Sequence, residues 1–128
     1  MDKSIVRHLP WATWLLILSI LSLTPGENLP EFKLQLFELD KLIHFIFYFI
    51  LVLLMSIGFR LKKNEPFYKS SVWIVGIGIF IGWSIEYLQG NYITNRYFDY
   101  LDIIANSLGT IVGMIVYVKY LITNYKFW

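Results

Sequence analysis

Three short stretches of the chain carry residues able to do acid–base or ligand chemistry. Asp40-Lys41-Leu-Ile-His44-Phe-Ile-Phe-Tyr48 gathers a carboxylate, an amine, an imidazole and a phenol. Glu86-Tyr-Leu-Gln89 adds a second acid and an amide. Arg96-x-x-Asp99-x-x-Asp102-x-x-x-Asn106 adds a guanidinium, two more acids and another amide, then runs on into Gly109 and Gly113. Spacings of three and four return to the same face of a helix, so each stretch reads as a polar stripe. Carboxylates beside an imidazole suit general acid–base work, with His44, Glu86 and Asp102 as the catalytic candidates. The same three could hold a hard or borderline divalent ion. No tight ligand spacing such as His-x-x-x-His is present, so no metal or cofactor is assigned and a divalent cation stays open. Covalent catalysis has no visible apparatus: there is no cysteine and no serine in a nucleophile-elbow setting.

Each residue also has a plainer reading. His44 alone is more often a satisfied interhelical hydrogen-bond donor than a ligand, and Tyr48 reads as packing. Arg96 is either an interface anchor or a partner for Asp99 or Glu86. Asp99 could simply cap a helix, where an acid near the N-terminus is stabilised by roughly 0.3–1 kcal/mol. Asp102 and Glu86 are harder to explain away, because both fall inside apolar runs. An acid at mid-bilayer is charged about 2.5–3.5 kcal/mol on insertion scales. A polar network that only specifies the fold remains the rival explanation. Asp40, Glu86, Asp99 and Asp102 face Lys41, Arg96 and a neutral His44, so the fully ionised cluster carries about −2. Low dielectric resists that charge. Either a carboxyl stays protonated or a cation sits there.

The elements that must position these groups follow from composition and hydropathy. The chain has 128 residues, of which 57% are hydrophobic and 19% aromatic, with a mean hydropathy of +0.57. Soluble domains average roughly 45–50% apolar, and a soluble core of this size could not hide so much apolar surface. The expected fold is an all-α, polytopic membrane protein forming one domain over residues 1–128, with spans near 7–26, 41–59, 72–89 and 100–122. The first span has a basic start at Lys3, Arg7 and His8 and ends in Ser22-Leu-Thr-Pro-Gly26, which resembles a signal peptide. It lacks a convincing small-x-small cleavage site, which favours a retained helix. Between spans one and two, Asn28-Leu-Pro-Glu31 is a helix-start signal. Phe32, Leu36 and Leu39 then oppose Glu31, Gln35 and Glu38, the pattern of a short amphipathic interfacial helix, with an ordinary loop as the alternative.

Charge placement sets the expected orientation. With the N-terminus cytoplasmic, that side carries eight basic residues (Lys3, Arg7, Arg60, Lys62, Lys63, Lys69, Lys119, Lys126) against three outside (Lys33, Lys41, Arg96). Both termini are expected inside. The three polar stripes then lie at similar depth in the outer third of the membrane, where they can face one another. Gly78/Gly82 and Gly109/Gly113 lie deeper on the same stripes, where small residues let helix backbones approach.

The same residues carry a family resemblance. Asp40-Lys41-x-x-His44-x-x-x-Tyr48, then Glu86-x-x-Gln89, then Arg96-x-x-Asp99-x-x-Asp102-x-x-x-Asn106-x-x-Gly109-x-x-x-Gly113 resembles the VanZ-like family of small bacterial membrane proteins over roughly residues 40–113, with no departure at these positions. The first span and both tails match only as generic apolar or basic stretches. The resemblance implies a bacterial cell-membrane location and an association with tolerance of the glycopeptide antibiotic teicoplanin; the family has no established biochemical activity. Three function classes follow. The favoured one is an envelope accessory protein whose outward pocket, built from Asp40, Lys41, His44, Tyr48, Glu86, Gln89, Arg96, Asp99, Asp102 and Asn106, binds a lipid-linked or cell-wall-related ligand. The second is a membrane-embedded enzyme acting on such a ligand through Glu86, Asp102 and His44. The third is a small transporter or assembly partner with a purely structural cluster. Expected partners are membrane lipid, a lipid-linked cell-wall precursor or a glycopeptide, and further copies of the chain, but no nucleic acid.

Overall fold

The computed structural model describes residues 3–28, 36–59 and 67–121. Four long helices account for nearly all of them: α1 (Lys3–Leu23), α2 (Leu36–Gly58), α3 (Phe67–Tyr92) and α4 (Tyr100–Val116). A 3-10 turn at Gly26–Asn28 follows α1, and α4 continues into a π-helical turn at Tyr117–Leu121. Each helix is long and apolar enough to cross a membrane. The protein is therefore a multi-pass membrane protein with four candidate spans. The described part of α2 begins at Leu36, so Leu36 and Leu39 belong to the same helix as the second span. No separate interfacial helix is seen among the described residues. The remainder of the expected amphipathic segment, 29–35, lies outside the described residues.

Apolar side chains divide between an outer and an inner set. Leu16, Ile20, Trp73, Phe80, Ile104 and Ile115 point away from the bundle, toward what in a membrane is hydrocarbon. Leu18, Tyr48, Leu51, Val52, Met55, Ile74, Ile85, Met114 and Tyr117 form the core. Lipid tails are as apolar as leucine, so helix association here depends on close packing rather than on escape from water. The glycines supply that closeness. A Cβ on Gly109 would strike the Phe45 carbonyl, and one on Gly113 would meet Val52 Cγ1 and lie 2.8 Å from Phe49 O. Thus α2 lies directly on the glycine stripe of α4. On the other flank, a Cβ on Gly78 would come within 2.8 Å of Thr110 Cγ2, and one on Gly82 within 3.0 Å of Asn106 Cβ. The α2–α4 interface is the most extensive in the bundle, followed by α3–α4.

Helix α1 runs antiparallel to α2 on the periphery. Trp14 Nε1 donates to Phe47 O at 2.9 Å, and Trp11 stacks on Phe59 with ring centroids 6.0 Å apart. Its far end returns to the α3–α4 turn, where Gly26 N donates to Thr94 O at 3.2 Å. Asn95 in that turn has φ 57°, a left-handed conformation that asparagine tolerates better than most residues.

Candidate functional site

The polar end of the bundle is assembled around Lys41. Its ammonium donates to Asp99 Oδ2 at 2.6 Å, to Asp102 Oδ1 in a short contact and to Asp40 Oδ2 at 3.4 Å. Asp40 and Lys41 come from the first turns of α2, Asp99 caps α4 and Asp102 sits in its first turn. The cap geometry is explicit: Asp99 is extended (φ −129°, ψ 116°) and its Oδ1 accepts from Leu101 N at 2.8 Å. One carboxylate therefore starts the helix with one oxygen and binds the lysine with the other. The Lys41 hydrogen bond holds the Asp99 carboxyl below the usual carboxylate range.

His44, one turn beyond Asp40, is buried between the helices. Its Nδ1 lies 3.0 Å from Asn106 Oδ1, and its Nε2 lies 3.6 Å from both Asp40 Oδ1 and Asp102 Oδ2. Glu86 reaches the cluster from α3. Its Oε1 accepts from Asp99 N at 2.8 Å, while Oε2 is buried without a hydrogen-bond partner among the described residues. Tyr48 Oη and Gln89 Oε1 are in the same condition. Three buried polar atoms without partners in one region are unusual, since such groups are nearly always satisfied by protein, water or ligand.

Two cavities open on this cluster and share Asp40, Gln89 and Arg96. The first, ≈ 230 Å³, has a wall of Leu21, Ile43 and Phe47, with Ser22, Asp40, His44, Gln89 and Arg96 supplying the polar side. The second, ≈ 250 Å³, is lined by Asp40, Gln89, Asn95, Arg96, Tyr97, Asp99 and Asp102. Arg96 borders both without pairing to an acid among the described residues. Its Nε donates to Thr24 O at 3.3 Å and its Nη2 to Leu21 O at 3.4 Å, carbonyls at the C-terminal end of α1 where a cation is favoured.

All ten residues of the expected ligand set lie in or directly beneath this region. Tyr48 is nearly fully buried against the Gly82 face, where a Cβ would lie 3.2 Å from its Cε1. Of the candidate trio His44, Glu86 and Asp102, Asp102 comes close to His44, and Asp40 joins them. Glu86 instead holds the backbone N–H that starts α4. Sequence reasoning missed Leu21 and Ser22 as cavity walls, because α1 looks uniformly apolar apart from its ends. It also missed Thr110, buried against Gly78 with its hydroxyl donating to Asn106 O at 2.9 Å. The four-residue step Asn106–Thr110 was the available signal.

A VanZ/LLP1 family model matches residues 3–123. The chain belongs to the VanZ/LLP1 family. The match extends through α1 and the end of α4, beyond the three motifs at the polar end. A protein of Schizosaccharomyces pombe (strain 972 / ATCC 24843), "Uncharacterized protein C11E3.10", is 32% identical over 81 residues, covering 63% of this chain and 48% of that protein. The chain thus spans about half the length of the curated relative it matches. No solved structure matches it.

Proposed function

We propose that this VanZ/LLP1 protein binds the headgroup of a membrane amphiphile, a lipid-linked envelope precursor in a bacterial host, in a pocket facing outward. On this reading it contributes to glycopeptide tolerance as an accessory protein. The observation that carries the proposal is the form of the first cavity. It joins an apolar wall of Leu21, Ile43 and Phe47 to Asp40, His44, Gln89 and Arg96 at the end of the spans. An amphiphile presents the same pairing, a polar head directly on an acyl or prenyl chain.

A membrane-embedded enzyme is the second reading, favoured by one feature. The His44 ring is fixed at Nδ1 by Asn106 and turns Nε2 toward two carboxylates at the cavity floor, an arrangement suited to a general base.

The deciding experiment uses Asp102→Asn and Glu86→Gln, which keep shape but remove the charge. Each is expressed in cells, and glycopeptide susceptibility is read beside membrane abundance and melting temperature. Lost tolerance with folded, abundant protein is expected. Wild-type tolerance from both variants would exclude a working site. Purified protein is then incubated with a lipid-linked cell-wall precursor: saturable retention without a new product supports binding, and a product that vanishes in Asp102→Asn establishes the enzyme.

A further inference from the structure

We infer that Asp40, His44 and Asp102 form a binding site for one divalent cation, beside the buried side chain of Gln89. The inference deepens the headgroup reading, because a cation in this pocket would give an acid-lined cavity affinity for a phosphate group.

Spacing is the first argument. His44 Nε2 stands 3.6 Å from an oxygen of Asp40 and 3.6 Å from an oxygen of Asp102, too long for a hydrogen bond to either. Imidazole nitrogen and carboxylate oxygen bind zinc at about 2.0–2.2 Å, and two such ligands near tetrahedral angles stand about 3.4–3.6 Å apart. The potential ligand atoms of all three residues lie within 4.8 Å of one another. The two His44 separations match those of atoms sharing an ion between them.

Orientation is the second argument. Nδ1 lies 3.0 Å from Asn106 Oδ1, so the ring is held on one side and its Nε2 edge is turned to the two carboxylates. A ring N–H fixed on a carbonyl, with the opposite nitrogen free to coordinate, is how proteins orient a metal-binding histidine.

Lys41 contacts Oδ1 of Asp102 and lies 3.4 Å from Oδ2 of Asp40, and the oxygens nearest His44 Nε2 are Oδ2 of Asp102 and Oδ1 of Asp40. Asp40, Glu86, Asp99 and Asp102 against Lys41 and Arg96 leave a net −2 when these six groups are ionised, which one divalent ion balances.

The independent pointer is Gln89. It is 3% exposed, borders both cavities beside Asp40, and its Oε1 has no partner among the described residues. An amide carbonyl is a hard oxygen donor. Two carboxylates, an imidazole and an amide suit Mn2+ or Zn2+ better than a thiolate-seeking metal.

The test uses the full chain in detergent, stripped with a chelator and exchanged into chelator-free buffer, with Mn2+ or Zn2+ alone as probe. Titration calorimetry and elemental analysis after gel filtration are expected to give one ion per chain. Asp40→Asn and His44→Gln should each weaken binding at least tenfold. His8→Gln, which alters the other histidine at the opposite end of the bundle, should leave it unchanged. Asp40 is the most exposed of the ligands, so Asp40→Asn keeps the test valid should His44→Gln fail to fold. No saturable binding by folded wild type, or full-strength binding by Asp40→Asn, overturns the site. Lipid retention is measured separately, so metal binding without lipid binding overturns only the headgroup reading, and the reverse overturns only the metal.

Discussion

Along α4 the side chains of Asp102, Ala105, Asn106, Thr110 and Met114 are buried with Gly109 and Gly113, whereas α1, longer at 21 residues, buries Leu18 and Ser22. The two helices meet the same solvent, yet they play different parts. Helix α4 presents small residues to the backbone of α2 on one side and polar residues to the glycines of α3 on the other. Helix α1 is fastened at points, by Trp14 to Phe47 O and by its last carbonyls to Arg96. The charged cluster is therefore built on the tightest interface of the bundle, and its cavity is closed by the loosest element. A rigid floor under a lightly held wall suits a site that admits ligand from the side.

The contrast breaks most severely at Gly109. Gly109→Leu drives a side chain into the Phe45 backbone carbonyl, which cannot rotate away. The effect should exceed the ~1–3 kcal/mol of ordinary overpacking and abolish folded, monodisperse protein in detergent. Gly76→Ala is the matched control, since a Cβ there meets nothing within 4 Å. It should leave the melting temperature unchanged or slightly higher, as alanine is the better helix former. Similar melting for the two variants would refute the α2–α4 packing.

Lys41→Met comes next. It leaves Asp99 and Asp102 facing one another without their shared cation. Breaking a buried ion pair costs ~3–5 kcal/mol, and the lower end applies because Lys41 and Asp99 retain some exposure. Adding Asp102→Asn should restore part of the loss, measured by thermal unfolding of both variants. Absence of any recovery in the double variant would show that the two charges do not compensate each other.

Much of this site is legible in the sequence because helical period is a strong constraint. Asp40/His44, Asp102/Asn106 and Gly78/Gly82 each repeat at four residues, so their common faces follow without any structure. The acids within apolar runs also announce an interior, since lipid would reject them. The partner choices are not encoded in that way. Lys41 becomes the hub because its long stem reaches across to α4, and Arg96 turns to α1 rather than to Glu86. Both outcomes depend on the rotation of one helix against another, which intrahelical spacing leaves open. Asp40 joins Asp102 close to His44, and Glu86 gives one carboxylate oxygen to the N–H of Asp99, for a similar reason. Leu36 and Leu39 show the same limit: their amphipathic pattern reads as a surface helix, whereas among the described residues they share one helix with the second span.

A smaller effect probes the point fastening of α1. Trp14→Phe keeps most of the ring packing against Phe47, whose ring lies 5.7 Å away nearly edge-on, but removes the hydrogen bond to Phe47 O. The loss should be about 1 kcal/mol, visible as a modest fall in melting temperature. Protease or hydrogen-exchange protection should drop in α1 and stay unchanged in α4. Equal loosening of both helices would mean that α1 is integral to the bundle rather than laid on it.

The smallest expected effect concerns Asp99, which belongs to both regions because it starts α4 at the edge of the second cavity. Lys41 holds its carboxyl below the usual range, so the folded protein binds the Asp99 proton later than the unfolded chain does as pH falls. At neutral pH the group is ionised in both states and its full contribution is present. Below about pH 4 the unfolded chain takes up the proton first, and stability falls until the folded carboxyl is protonated as well. The side chain is one-third exposed, so solvent screening keeps this contribution under about 1 kcal/mol. Asp99→Asn isolates it, because asparagine caps a helix about as well as aspartate while carrying no titratable proton. Melting temperatures of the wild type and Asp99→Asn, compared from pH 7 to pH 3, should differ at neutral pH and converge as the medium becomes acid. A gap that widens instead would mean that Lys41 does not stabilise the charged form, and that the cap is the whole of what Asp99 does.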